Sequence, residues 1–196
     1  MVRVMVVNPV FGRAIPVAEH CVGALADLGC ESSLVDLTCF QDLVRDNRGS
    51  VGPQSAKAIA LYEAVAERVQ HKVRRFEPDL VLVLLLAPLH KGLLDWLRDQ
   101  GIKTAYWFVD NLGRYPFWRV QAPWYDHSFT IQDEPYLTAL RNMGARHCAY
   151  LPNACRVGAH TDIVLTAEER ERFGTDVAFV GTLHPNRMAV FDELAD

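Results

Sequence analysis

Asp110 and Asn111 end an apolar, aromatic-rich run, Thr104-Ala105-Tyr106-Trp107-Phe108-Val109, and Tyr115, Phe117, Trp118, Trp124 and Tyr125 follow within fifteen residues. A carboxylate beside aromatic faces suits a hydroxyl-rich ligand. Its oxygens accept hydrogen bonds from hydroxyls, and aromatic planes cover the apolar face of a ring. The same residues admit a structural reading, in which Asp110 caps a turn and the aromatics pack the core.

Other chemistries find less support. The loop Asn8-Pro9-Val10-Phe11-Gly12-Arg13 has one glycine, whereas a dinucleotide fingerprint needs several for its tight turn and for close approach of the pyrophosphate. It reads as an ordinary turn, or as backbone N–H groups at a helix start lining a polar cleft. His147, Cys148, Cys155 and His160 are separated by one, seven and five residues. They lack the C-x-x-C pair of a zinc knuckle, so no metal site is expected. Cys21, Cys30 and Cys39 recur every nine residues, but the pattern puts them on a helix, a strand start and a loop, where they do not converge. No G-x-S-x-G elbow surrounds Ser128. His90, at a helix start, reads as a solvated helix-end residue or a polar ligand contact, and His127 as a structural strand residue.

The elements that must position these residues alternate regularly. Strands are predicted over 2–7, 31–37, 80–86, 103–109, 126–131 and 147–151. Helices are predicted over 16–28, 55–76, 89–100 and 134–143, with Gly29, Gly101 and Gly144 as stops. The unbroken apolar run at 80–86 fits a strand buried on both faces of a parallel sheet. Strand and helix in this rhythm imply right-handed βαβ units and a doubly wound, Rossmann-like α/β sheet of about six strands. Ligands of such sheets bind beyond the carboxyl ends of the strands, which places the loops 8–13, 87–90, 110–115, 132–134 and 152–155 on one rim.

Beyond Cys155 the texture changes. Residues 156–175 are polar and linker-like, with a helix at 166–173 opened by the capping-box pair Thr166 and Glu169. A further strand at 176–180 and a helix from Pro185 read as one more βα unit. The expected organisation is therefore a domain over 1–155, a linker over 156–175, and over 176–196 the start of a second domain whose remainder is absent. Without neighbours, the apolar strand at 176–180 is expected to join the first sheet, to pack on a second copy of the chain as a homodimer, or to be poorly ordered.

Composition bounds the class. Of 196 residues, 50% are hydrophobic and 22% charged, enough apolar material to exclude a disordered chain. With 20 basic against 24 acidic residues and a net charge of -4, the basic stripe of a nucleic-acid binder is missing. The longest apolar run spans ten residues, 80–89, where a membrane-spanning helix needs about 20. The apolar start lacks a small-residue cleavage site, and five scattered cysteines fit reduced, buried thiols. A cytoplasmic location is expected.

Six phrases recur together in order: Pro78-Asp79-Leu80-Val81-Leu82-Val83, Thr104-Ala105-Tyr106-Trp107-Phe108-Val109-Asp110, Phe129-Thr130-Ile131-Gln132, Tyr150-Leu151-Pro152-Asn153-Ala154-Cys155, Asp176-Val177-Ala178-Phe179-Val180-Gly181 and Pro185-Asn186-Arg187. Over nearly the whole chain they resemble the CgeB-like, spore-maturation type of bacterial glycosyltransferase. The resemblance implies a GT-B enzyme, with two Rossmann-like halves facing a cleft, of which this chain is the N-terminal, acceptor-side half and the first βα unit of the donor half. It implies a nucleotide-sugar donor, a sugar acceptor, no tightly bound cofactor and no metal, with little activity before the missing C-terminal half is supplied. Asp110 then stands where a base would take the acceptor hydroxyl's proton. Asn8, Phe11, Gly12, His90, Asn111, Tyr115, Gln132 and Asn153 fall on the acceptor side. Gly181, Thr182, Asn186 and Arg187 fall at the turn that would approach the donor diphosphate. The alternative is a non-catalytic Rossmann-like binding or interaction module, naturally this short.

Overall fold

Strand β3 (Leu80–Leu84, LVLVL) is apolar at every position and hydrogen-bonds in parallel to β1 (Arg3–Val7) on one side and β4 (Lys103–Phe108) on the other. Such a run is stable only with both faces covered, and helices on the two faces of the sheet cover it. In the computed structural model, which describes residues 1–11, 16–45, 56–85, 87–114, 118–157, 163–181 and 184–194, six strands form an all-parallel sheet of order β2-β1-β3-β4-β5-β6. β2 is Glu31–Val35, β5 is His127–Thr130 and β6 is His147–Tyr150. This is the expected Rossmann-like α/β architecture. The order reverses between β1 and β3, and at such a switch point the connections leave on opposite faces and open a crevice.

Helix α1 (Val17–Asp27) covers one face. Ala18, Cys21, Val22 and Leu25 pack on Val6, Leu34, Leu82, Leu84 and Trp107. The opposite face carries the main core. Met5, Val7, Val35, Val81, Val83, Tyr106 and Phe108 meet α3 (Ala56–Phe76), α4 (Lys91–Asp99) and α6 (Tyr136–Asn142). The 3.6-residue spacing of α3 puts Val65, Val69 and Val73 on that face, each burial contributing about 1.5–3 kcal/mol relative to an exposed side chain. Two short helices, α2 (Gln41–Arg45) and α5 (Trp118–Gln121), complete this part of the chain. Neither has the length for a hydrophobic period to declare itself in sequence.

Contacts divide the chain into two units, Met1–His160 and Thr161–Asp196. In the second, α7 (Ala167–Phe173) opens with the expected capping box: the Glu169 amide donates to Thr166 Oγ1 at 3.2 Å, and the Thr166 amide donates to Glu169 Oε2 at 2.8 Å. Helix α8 spans Pro185–Leu194, and Phe191 meets Phe179 at 4.7 Å between ring centroids.

The strand expected at 176–180 is not formed. A strand is defined by its pairing, and no second strand is described in this unit to pair with it. Val177 and Val180 are 83% and 97% exposed, and Thr175 Oγ1 donates locally to the Val177 carbonyl.

Candidate functional site

Where β1 ends, the Asn8 amide donates to the Val35 carbonyl at 3.0 Å and carries the ladder one residue further. That fixes Asn8 at the carboxyl edge of the sheet, only 2% exposed. Its carboxamide lines a cleft of about 650 Å³ and has no hydrogen-bond partner among the described residues. A buried, unpaired amide is costly in a closed core. At the wall of a cleft, solvent or a bound molecule can reach it instead.

The cleft opens at the β1/β3 switch point. Its walls come from the loop after β1 (Pro9, Phe11), from α1 (Val17, His20, Cys21, Ala24), from the end of β3 (Leu84, Leu85), from β4 and its loop (Trp107, Val109, Asp110), and from 153–156 after β6. Most of this lining is apolar. Burial pushes the Cys21 thiol up to about 11, so this cysteine is protonated and a poor nucleophile at neutral pH. Leu85 holds φ at 42°, a left-handed conformation costing a branched residue about 1–3 kcal/mol. Its amide donates to the Trp107 carbonyl at 3.0 Å, which ties the strained turn to β4.

Alternation along β4 sorts the aromatics. Tyr106 and Phe108 point into the main core and Trp107 into the cleft. The Trp107 indole N–H donates to the Leu151 carbonyl at 3.0 Å, so the ring is fixed in place. Trp118 and Tyr125, expected near the ligand, are each 1% exposed and belong to the core. For these residues the structural reading holds.

Asp110 is half-buried and faces the cleft. Its Oδ1 accepts from the Asn111 amide at 2.6 Å, whereas Oδ2 has no partner among the described residues. The loop that presents it is braced on three sides. Asn111 Oδ1 accepts from the Gly113 amide at 2.8 Å, Gln132 Oε1 accepts from the Leu112 amide at 2.6 Å, and the Trp118 indole donates to the Leu112 carbonyl at 2.7 Å.

The structure therefore brings Asn8, Phe11, Asp110 and Asn153 together in one cleft. Asn111 and Gln132 do not line it. Their side chains hold the Asp110 loop instead. His90 does not line it either: it caps α4, its Nδ1 accepting from the Leu93 amide at 3.2 Å, with its ring edge-on to Tyr62. Gly12 and Tyr115 lie outside the described residues. Gly181 and Arg187 stand in the second unit, where the Arg187 guanidinium lies 5.5 Å from the centroid of the Phe179 ring. Thr182 and the side chain of Asn186 are outside the described set.

Sequence reasoning missed His20, Cys21 and Arg156. An i, i+1 pair on a helix and a polar residue at the edge of a linker carry no motif, and only the tertiary fold joins them. Among the described residues, no group of three or more His, Cys, Asp or Glu is arranged to hold a metal ion, and no helix is long and apolar enough to cross a membrane.

No family model matches the sequence, and no curated protein matches it. Among solved structures, the chain is similar to a UDP-glucosyltransferase from Polygonum tinctorium, described as capable of glucosylating indoxyl and captured with 3,4-dichloroaniline. The TM-score is 0.46 and the identity 10%, over 98% of this chain and 57% of that one, so the chain spans less than two thirds of that protein's length.

Proposed function

We propose that the cleft holds the acceptor of a sugar transfer from a nucleotide-sugar donor, with Asp110 as the base. The observation that carries this reading is that one cleft is lined by two polar groups, the Asn8 carboxamide and Asp110 Oδ2, neither with a hydrogen-bond partner among the described residues. A hydroxyl-bearing ring laid against Trp107 would present one polar group to Asn8 and its nucleophilic hydroxyl to Asp110. The carboxylate would take the proton as the oxygen attacks the anomeric carbon and the bond from that carbon to the donor's diphosphate oxygen breaks, releasing the nucleoside diphosphate; the proton transfer contributes about 10²–10⁴ in rate. The apolar lining favours a compact acceptor with a few hydroxyls over a long, fully polar glycan.

The sequence phrases shared with CgeB-like glycosyltransferases support the same reading. On it, Gly181, Thr182, Asn186 and Arg187 serve the donor diphosphate through backbone N–H groups and the guanidinium. The donor is a substrate, and no tightly bound cofactor is needed. The enzyme works in the cytoplasm and requires a donor-binding half beyond these residues.

The test is product formation from a panel of nucleotide sugars and hydroxyl-bearing acceptors. With a donor-binding half supplied, Asp110→Asn lowers kcat by about 10²–10⁴. An unchanged kcat in that variant would remove Asp110 as the base. Robust turnover by residues 1–196 alone would remove the half-enzyme reading.

A further inference from the structure

The segment 152–155, whose Asn153, Ala154 and Cys155 form a wall of the cleft, has no hydrogen bond to the rest of the described chain. It hangs between two fixed points. At one end the Leu151 amide donates to the Thr130 carbonyl at 2.8 Å, and the Leu151 carbonyl accepts from the Trp107 indole. At the other end the Arg156 guanidinium reaches across to α1. There Nε donates to Asp27 Oδ2 at 3.1 Å and Nη2 donates to Asp27 Oδ1 at 3.4 Å, a fork-on-carboxylate pairing between residues 129 positions apart.

The helix is built to receive it. A Cβ placed on Gly23, one turn before Asp27, would overlap the Arg156 guanidinium. Glycine inside a helix costs about 1 kcal/mol relative to alanine, and Gly23 sits in the middle of an eleven-residue helix. The missing side chain is the seat of the guanidinium.

We infer that Arg156, seated on Gly23 and paired with Asp27, is a positioning residue that clasps the 152–155 strap over the cleft and controls entry of ligand. The inference rests on the cleft being the ligand site. The pair is partly exposed, 33% and 60% for the two side chains, so salt screens it and the clasp is a weak, reversible one. A pair of that strength biases the strap toward the closed position without locking it.

Cys21 lines the same cleft as Cys155 and Arg156, and because burial suppresses its thiolate at neutral pH, its slow alkylation is an internal reporter that speeds up when the cleft opens to water. Alkylation of Cys21, followed by peptide-resolved mass spectrometry on the folded chain, reads opening of the strap without any ligand. Asp27→Asn raises the Cys21 rate two- to fivefold, the factor of a surface ion pair. Gly23→Ala, which displaces the guanidinium from its seat, raises it as well, although alanine strengthens the helix itself. In the native chain 1 M NaCl raises the rate to the Asp27→Asn level, and in Asp27→Asn it adds nothing. Trypsin, which cuts after Arg156, cleaves both variants faster than the native chain.

Equal Cys21 rates in the native chain, Asp27→Asn and Gly23→Ala would overturn the clasp, as would a rate insensitive to salt. Because this readout needs no ligand, its failure leaves the proposed transfer standing. Failure of the transfer assay likewise leaves the strap measurement unaffected.

Discussion

Tyr106 carries its hydroxyl into the core, 2% exposed, with no hydrogen-bond partner among the described residues. Its ring stacks on Tyr125 at 4.8 Å and meets Phe108 edge-on. Burial, with the neighbouring Tyr125, pushes its phenol well above the ordinary value, so the group stays neutral and its desolvation goes uncompensated. Tyr106→Phe keeps both ring contacts and deletes the unpaired oxygen, so it raises stability by about 1 kcal/mol, the low end of the scale for an unsatisfied buried group. Urea denaturation checks this, and a loss of stability would show that the phenol has a partner. The residue scale is also where the sequence was least legible. Asp110 and Asn8 stood out because strand ends and rim loops are readable from pattern. His90, Asn111 and Gln132 looked equivalent to them, and only the hydrogen bonds separate a helix cap and two loop braces from groups that face ligand. Arg156 carried no local signal at all, since its partner lies 129 residues away.

At the element scale, β4 and β5 are joined at their amino ends by Asp126. Its Oδ2 accepts from the Thr104 amide at 2.9 Å and from the Thr104 hydroxyl at 3.0 Å, and that hydroxyl accepts in return from the Asp126 amide. Burial by itself would raise the Asp126 carboxyl. The two hydrogen bonds from Thr104, with Lys103 and Arg98 nearby, outweigh it and hold the group below its ordinary value. The sign follows from linkage. A depressed carboxyl contributes stability that is complete above the unfolded value of about 3.9 and is lost as pH falls through the folded one. Stability measured against pH by denaturant unfolding therefore drops below about pH 4 in the native chain. Asp126→Asn is less stable at neutral pH and flattens that part of the curve, and parallel curves for the two proteins would refute the assignment. The sheet itself was legible because long amphipathic helices and apolar strands have distinct periods. The missing strand at 176–180 was not, because Val177-Ala178-Phe179-Val180 has strand composition whether or not a partner exists, and pairing is a tertiary property.

At the scale of the whole molecule, the first unit is a sheet whose order reverses between β1 and β3, and the cleft follows from that reversal. β1 delivers Asn8, β4 delivers Asp110 and Trp107, and the chain leaving β6 supplies the wall that Arg156 ties down. The central claim is that this cleft binds a compact hydroxyl-bearing ligand through Asn8 and Asp110. The most direct measurement is a chemical-shift titration of the isotope-labelled chain with a panel of hydroxylated ring compounds. At least one compound shifts the Asn8 carboxamide, the Trp107 indole and the Asp110 amide together, and Asn8→Ala weakens its binding by up to about tenfold, the range of one hydrogen bond. Shifts confined to other surfaces, or an affinity unchanged by Asn8→Ala, would contradict the claim.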